Sequence, residues 1–490
     1  MEDAPRTASS SEQEVHRDNL RLSQLEYQLQ HIRLWSQPRC LGLVLGNACN
    51  LNCIHCYQAK NGDNLLRPAG IGKELRREFL GFYPYLSTLR VQGGEVFALA
   101  GFGELLEDLE ATVSRPILSV STNGTLIDEG WAERIVRLPF SNLTVSIDGA
   151  TPGTFARLRG GGQLDVVLAN LRRIQRWKEK LGSALPYLDS FFVVMRSNFR
   201  EIPRYLQLMR EHGIGDVSLQ TLEINRENAL RTPDLERDEA IAGPAEAEEL
   251  HRVLREALPR ERPHFRMIRA SGLRSLFEQH GLDAACLREE SASLYPDSDG
   301  LAGGSTGEAG PAPFDLCPNP WTTLFVAENG DVHLCFLSEA IGNLYEAPLA
   351  SLWNCPRALA KRSQMIAGRY LASACSPRYC SWREGMPAAG PADTRELLSQ
   401  IKQLKHQVME RKPVMAEEGL PPGLGAVRRK MAERERRIIE LETMFQELCE
   451  TNGQLHLAGQ KHIDSLEAQL KRPLMRAAYN MSRAWEKLKR

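Results

Sequence analysis

The stretch NACNLNCIHCYQAK (residues 47–60) holds Cys49, Cys53 and Cys56 in the spacing C-x3-C-x2-C. An apolar run directly before it predicts a strand, so the three thiols would lie at the end of a sheet. A structural zinc ion takes four protein ligands, usually from two cysteine pairs, and a zinc site here would have to recruit His55 at an awkward spacing. A [4Fe–4S] cluster fits better, because cysteines of one tight loop can hold it and three thiolates leave one iron open to a ligand.

The composition of the chain indicates how many domains it has and in which compartment its cysteines lie. The chain has 490 residues, a formal net charge of -1 and a hydrophobic share of 42%, which predicts two to four folded domains and gives no overall attraction to nucleic acid. The polar N-terminus lacks the apolar core of a secretory signal, and no uncharged apolar run approaches the length of a membrane span. We therefore expect a cytoplasmic protein whose 11 cysteines are metal ligands or core residues rather than disulfides.

Short apolar runs alternate with amphipathic stretches from residue 41 to residue 225. Helical patterns over 164–180 and 202–212 lie between them, and this alternation predicts a parallel sheet, either open or curled into a barrel. Polar residues and glycines collect where the runs end, which is the edge at which such folds place their sites. The six predicted strands are LGLVLG (41–46), TLRVQGG (88–94), ILSVSTNG (117–124), LTVSIDG (143–149), SFFVVM (190–195) and DVSLQTL (216–222).

The rest of the chain divides by composition. The C-terminal part has apolar residues at heptad positions and ends in a basic amphipathic stretch, which predicts a coiled coil for self-association or partner binding and a tail able to contact a membrane surface. The predicted organisation is an N-terminal helix (1–37), a barrel (38–225), a helical segment with a Gly/Ser/Pro-rich linker (226–313), a small α+β cysteine module (314–390) and a coiled coil with its basic tail (391–490).

An aromatic residue, Tyr57, follows the last cysteine of the loop. The C-x3-C-x2-C-aromatic signature resembles that of the radical S-adenosylmethionine (SAM) enzymes. The resemblance implies a partial (β/α)6, TIM-like barrel and an open iron that binds SAM. It also implies an electron donor such as flavodoxin or ferredoxin. The electron cleaves SAM, and the resulting 5′-deoxyadenosyl radical takes a hydrogen atom from a substrate.

Three further motifs follow the cysteines in the order this family has them. QGGEVF ends the second strand and resembles the family's GGE motif, although the proline common after the glutamate is Val96 here. STNGTLID resembles the family's fourth-strand motif, and VSIDGATPGTFARLRG resembles its fifth-strand segment. Glycine in the first motif lets backbone approach a ligand closely. Carried over to this sequence, the predicted SAM contacts are Tyr57, Gly93, Gly94, Glu95, Ser121, Asn123, Ser146 and Arg157.

A second cysteine set follows the linker. Cys317 and Cys335 flank a predicted hairpin around ENGDV, and Cys375 and Cys380 close the module. The set resembles the SPASM/twitch extensions of radical SAM enzymes, which implies one auxiliary [4Fe–4S] cluster on these four cysteines; a four-cysteine zinc ribbon is the alternative. The other cysteines, including Cys355 in the same module, are expected to be core or incidental residues.

The substrate has no direct sequence signature. The N-terminal 38 residues are too few for the peptide-recognition domain that peptide-modifying relatives often carry, so we expect a carbohydrate or other small molecule ahead of a peptide. No catalytic base stands out, and Asp148 and Glu223 are the residues to inspect. A peptide- or protein-modifying maturase and a non-catalytic iron–sulfur adaptor are the alternative functions.

Overall fold

A computed structural model describes residues 10–56, 70–111, 116–138, 140–222, 234–287, 317–336 and 338–366. In these residues ten strands form one sheet, in the order β10-β9-β8-β1-β2-β3-β4-β5-β6-β7. The strands are β1 (Cys40–Val44), β2 (Thr88–Gln92), β3 (Ile117–Thr122), β4 (Phe140–Ser146), β5 (Tyr187–Val194), β6 (Asp216–Thr221), β7 (Met267–Ser271), β8 (Thr323–Val326), β9 (Asp331–His333) and β10 (Gly342–Asn343).

The helices lie between the strands. Helix α6 shows why they form where they do: its buried residues recur every three or four positions, and Gly182 ends it with a φ of 61° that favours glycine. Asp128 starts α4 by accepting a hydrogen bond from the backbone N–H of Trp131. The described helices are α1 (Ser10–Gln28), α2 (Lys73–Leu80), α3 (Ala100–Ala111), α4 (Glu129–Arg137), α5 (Pro152–Leu158), α6 (Leu164–Leu181), α7 (Ile202–Glu211), α8 (Leu235–Glu239), α9 (Pro244–Glu261), α10 (Leu273–Gln279), α11 (Asn319–Thr322), α12 (Leu349–Leu352) and α13 (Pro356–Ile366).

Strands β1 to β6 are adjacent in chain order, and each pairs in parallel with the next. This confirms the predicted parallel sheet of a partial (β/α)6 barrel, and all six predicted strands are present within a few residues of their expected bounds. The buried residues of the strands include Leu43, Val91, Val120, Val145 and Phe192, which pack in one apolar core with the helices. The carboxyl ends of these strands therefore meet at one edge of the sheet.

Strand β7 extends the parallel sheet beyond β6, in a region for which the sequence predicted helices and a linker. Its sequence, MIRAS, is short and contains one charged residue, so it lacks the apolar run that marked the other strands.

The cysteine module joins the barrel directly. Strand β8 pairs in parallel with β1, and β9 returns antiparallel to β8 around the predicted ENGDV turn. The hairpin is confirmed. The module is nevertheless not a separate layer, because its first strand continues the barrel sheet on the open side of β1.

Helix α1 packs against this module through buried polar side chains. Glu26 is fully buried and accepts hydrogen bonds from the N–H groups of Trp35 and Ser36 and from the Ser36 hydroxyl. On the module side, Arg362 of α13 is also fully buried and donates to the carbonyls of Ile32 and Trp353. The segment that follows the N-terminal helix is thus bonded both to that helix and to the module.

Burial determines the ionisation of this pair. It raises the pKa of Glu26 to about 7, although the hydrogen bonds from Ser36 and Trp35 and the charge of Arg362 act in the opposite direction. It lowers the pKa of Arg362 to about 9, against the opposing charge of Glu26. Because solvent reaches neither group, the charge of each affects the pKa of the other.

Several predictions from sequence lie outside the described residues: the Gly/Ser/Pro-rich linker, the coiled coil and basic tail, Tyr57, Glu223, Cys375 and Cys380. Of the helices that are described, none has both the length and the apolar character needed to cross a bilayer.

Candidate active site

The cysteine loop lies where the parallel strands end. It follows β1, and its nearest neighbours come from the ends of β2, β3 and β4 and from the end of α5. The backbone N–H groups of Gly94 and Glu95 donate to the carbonyls of Gly46 and Ala48, at 2.9 and 2.8 Å. The loop is therefore bonded to the end of β2 before any cofactor is considered.

The two glycines after β2 serve this contact. A Cβ atom on Gly94 would lie 2.2 Å from the carbonyl oxygen of Ala48, and one on Gly93 would lie 2.8 Å from that of Gly46. We predicted from sequence that these glycines make room for a ligand. In the structure, the space next to them is filled by the cysteine loop itself, so their direct role is to let two backbones meet.

We expect Gly94→Ala to displace the cysteine loop, because the methyl group would overlap backbone that cannot rotate away. Iron bound per chain after anaerobic reconstitution should fall at least severalfold. Gly153→Ala is the matched control, since a Cβ there meets nothing within 4 Å. Parental iron content in Gly94→Ala would contradict the expectation.

Glu95 is fully buried, and protein donors occupy its carboxylate. Its Oε1 accepts from the Thr122 hydroxyl at 2.7 Å and from the Phe97 N–H at 3.2 Å, and its Oε2 accepts from the Asn123 N–H at 2.7 Å. Burial raises the pKa of Glu95, and these hydrogen bonds lower it in part. The side chain thus joins the ends of β2 and β3.

Asn123, just after β3, turns its amide toward the first cysteine. The amide nitrogen lies 3.8 Å from the Sγ of Cys49 and donates to the Asn50 side-chain oxygen at 2.9 Å. Its oxygen accepts from the backbone N–H and the hydroxyl of Thr125. Ser121 is exposed and Ser146 half-buried at the ends of β3 and β4, so both remain accessible at this edge.

The arginine predicted to contact SAM is directed elsewhere. Arg157, on α5, is half exposed and donates to Glu239 at 2.7 Å. Arg159, two positions later, is the arginine at the cysteines: its Nη1 lies 3.8 Å from the Sγ of Cys53, and its Nη2 lies 2.6 Å from Asp148. Sequence reasoning missed it because the end of a short helix leaves the direction of each side chain open.

Asp148 joins the loop to the end of β4. It is fully buried, accepts from the Val193 N–H at 2.7 Å and forms an ion pair with Arg159, and its Oδ2 lies 3.3 Å from the Nε2 of His55. His55 lies between two of the loop cysteines, so Asp148 contacts the loop directly at this residue. Asp148 also binds Arg159, which lies beside Cys53. This arrangement makes Asp148 an organising residue rather than a free base.

The cysteine thiols share one environment. Burial raises the pKa of Cys49 to about 11, and the charges of Glu95, Cys53 and Cys56 add to the rise. Burial also raises the pKa of Cys53, opposed mainly by the charge of Arg159. Buried thiolates in this loop would need positively charged partners.

The residues present fit an iron–sulfur cluster better than a single ion. A zinc ion requires all ligand atoms about 2 Å from one point. In the part of the chain that the structure describes, no three His, Cys, Asp or Glu side chains converge on one point in that way. A cluster spreads its irons and so accepts thiolates that do not converge, and nearby donors such as Arg159 compensate their charge.

The described half of the second cysteine set matches its prediction in position. Cys317 and Cys335 are half-buried at the two ends of the β8–β9 hairpin. The thiol of Cys355 donates to the carbonyl of Ile341 at 3.5 Å, as expected for a cysteine within the packing of the module.

Comparison with protein-family models matches residues 43–178 to the radical SAM superfamily. This part of the chain is a radical SAM domain. The match starts in β1 and includes the cysteine loop and the motifs at the ends of β2 to β4. A second model, an iron–sulfur cluster-binding domain named SPASM, matches residues 317–381. Radical SAM proteins use a [4Fe–4S] cluster and SAM, and SPASM domains bind auxiliary iron–sulfur clusters.

The curated relatives of this chain are named as enzymes. Fe-coproporphyrin III synthase of Methanosarcina barkeri is 32% identical over 34% of this chain and 39% of its own. Mycofactocin maturase MftC of Mycobacterium tuberculosis is 27% identical over 36% and 43%, and the probable GTP 3′,8-cyclase of Methanocaldococcus jannaschii is 24% identical over 36% and 56%. The chain thus spans about half the length of these relatives.

Solved structures align with this chain at low identity. SuiB of Streptococcus suis aligns with a TM-score of 0.49 and 15% identity, over 70% of this chain and 71% of its own. A second structure, anSMEcpe with bound AdoMet, aligns with a TM-score of 0.43 and 15% identity, over 76% and 97%.

Proposed function

We propose that this protein is a radical SAM enzyme that reductively cleaves SAM and uses the 5′-deoxyadenosyl radical to take a hydrogen atom from a substrate. Cys49, Cys53 and Cys56 hold the SAM-binding [4Fe–4S] cluster. Cys317, Cys335, Cys375 and Cys380 hold one auxiliary cluster. When bound and reduced, the first cluster supplies the electron that breaks the sulfonium bond.

The observation that carries this proposal is the set of contacts around the cysteine loop. Asn123 and Arg159 each reach within 3.8 Å of a different cysteine sulfur, and β2 pairs its backbone with the same loop. Three strand ends and one helix end therefore converge on three thiols at the carboxyl edge of a parallel sheet. That edge is where barrel enzymes build active sites.

The chain's own residues have distinct tasks in this proposal. The backbone at Gly94 and Glu95 and the accessible Ser121 and Ser146 provide polar groups for SAM at the strand ends. Arg159, buried beside Cys53, is the proposed cation at the cysteines, whereas Arg157 pairs with Glu239. Tyr57, which directly follows the loop, is proposed to cover the adenine ring.

The substrate class is proposed from the relatives. Their names give the maturation of mycofactocin, the synthesis of a porphyrin and the cyclisation of a nucleotide, and on this basis we propose a substrate from peptide modification or cofactor biosynthesis. The carbohydrate that we expected ahead of a peptide gains no support from these names. The requirement for an external one-electron reductant is the same for either class.

The test is anaerobic reconstitution with iron and sulfide, followed by addition of dithionite and SAM and measurement of 5′-deoxyadenosine. We expect the nucleoside to form, with about eight irons bound per chain if both clusters are present. About four irons would count against the auxiliary cluster. An intact cluster, seen by absorbance, that produced no nucleoside would contradict the enzymatic proposal and favour a non-catalytic adaptor.

A further inference from the structure

We propose that Asn123 and Arg159 are positioning residues that donate N–H···S hydrogen bonds to two of the three cluster thiolates and so raise the reduction potential of the SAM-binding cluster. This inference rests on the proposed function and deepens it, because it assigns the residues that make the cluster reducible.

The amide of Asn123 is fixed in the orientation this role requires. Its backbone N–H is held by the buried carboxylate of Glu95, and its side-chain oxygen accepts two hydrogen bonds from Thr125. With the oxygen so occupied, the amide nitrogen must face Asn50 and the Sγ of Cys49, 3.8 Å away. A rotation of the amide that presented its oxygen to the sulfur would break both bonds to Thr125.

Arg159 is held with equal restriction on the other side of the loop. The backbone N–H of Ile54 donates to the Leu158 carbonyl at 3.1 Å, which fixes the end of α5 to the cysteine loop. Gly160 has a φ of 59°, and a Cβ there would lie 2.2 Å from the Asn52 carbonyl oxygen. Asp148 binds the Nη2 of Arg159, and only 7% of the residue's surface is exposed, so the orientation of the guanidinium is restricted.

Both contacts should shift the reduction potential of the cluster in the same direction. Reduction adds one negative charge to the cluster, and part of that charge is carried by the thiolate sulfurs. A donated N–H stabilises this added charge, so it favours the reduced form and raises the potential. The charged guanidinium should act more strongly than the neutral amide, because charge-assisted hydrogen bonds are about twice as strong.

The test is the reduced-to-oxidised ratio of the cluster at one fixed applied potential, measured by electron paramagnetic resonance (EPR) without SAM. The spectrum's response to SAM added afterwards identifies this cluster. We expect Arg159→Gln to lower the ratio about tenfold, which is about 59 mV for a one-electron couple. Asn123→Ala should lower it about threefold, half the effect on a free-energy scale.

Arg157→Gln is the matched control. It removes the same charge two residues away, but its guanidinium pairs with Glu239 and it is half exposed, so we expect the parental ratio. If Arg159→Gln does not retain iron, Asn123→Ala and the isosteric Asn123→Asp decide the question, since both remove the donated N–H. Parental ratios in iron-loaded variants would overturn this inference. If instead the parental cluster ignores SAM and forms no 5′-deoxyadenosine, the proposed function itself fails.

Discussion

Replacing Cys53 with alanine should abolish SAM cleavage. We expect 5′-deoxyadenosine formation to fall by more than about a hundredfold, beyond the loss that removal of an outer partner causes at a metal site. Bound iron should fall from about eight to about four per chain, because the auxiliary cluster has its own ligands. Both quantities can be measured on one anaerobically reconstituted sample.

The physical reason lies in the small number of ligands. A [4Fe–4S] cluster on three cysteines has one iron open for a cofactor. The loss of one cysteine therefore leaves two irons without a protein thiolate. Cys53 is also the buried member of the set and lies beside Arg159, whose charge then faces an empty position. The site would lose its ligand and the balance of charge around it together.

Cys286→Ala is the control for this experiment. Cys286 is a half-buried cysteine outside both sets, and its backbone carbonyl, which the substitution keeps, accepts a hydrogen bond from Arg262. Iron content and nucleoside formation should stay at the parental level in that variant. A Cys53→Ala protein that still cleaved SAM would show that the ligand assignment is wrong.

The second large effect is expected at Arg362. Arg362→Ala would remove donors from the carbonyls of Pro320, Ile32 and Trp353 and would leave the buried Glu26 without its opposing charge. Each buried acceptor left without its donor costs about 1–3 kcal/mol. We therefore expect the thermal unfolding midpoint to fall by on the order of 10 °C.

A matched variant and a second substitution define this effect. Arg357→Ala changes an exposed arginine on the same helix and should alter the midpoint little. Adding Glu26→Gln to Arg362→Ala should recover part of the loss, because the remaining buried group no longer carries a charge. Equal midpoints for the Arg362 and Arg357 variants would contradict the role given to this network.

The sequence predicted the barrel well because its strands are short apolar runs bounded by glycines and polar residues. Runs such as ILSVST and FFVV are continuous enough to separate from the helical patterns around them. Strand β7 was missed because its charged, five-residue sequence carries no such pattern. The pairing of β8 with β1 joins residues almost 300 positions apart, which no local pattern reports.

At the candidate site, motifs identified the right strand ends but not the direction of each side chain. Asn123 and Glu95 lie at the cysteine loop as expected, yet Glu95 is taken up by Thr122 and Asn123 instead of facing outward. Arg157 and Arg159 are two positions apart, and only the fold decides which one turns inward. Such choices depend on packing at the end of α5, which spacing in a sequence does not determine.

The ladder between β1 and β8 has a mechanical consequence. Domains within a chain commonly swing against each other when their interface is small and polar. Here four residue pairs in register, from Cys40 and Thr323 to Leu43 and Val326, join the auxiliary module to the strand that leads into the cysteine loop. A hinge along this line would have to break interstrand hydrogen bonds, so a substrate must reach the barrel by a route that leaves β1 and β8 together.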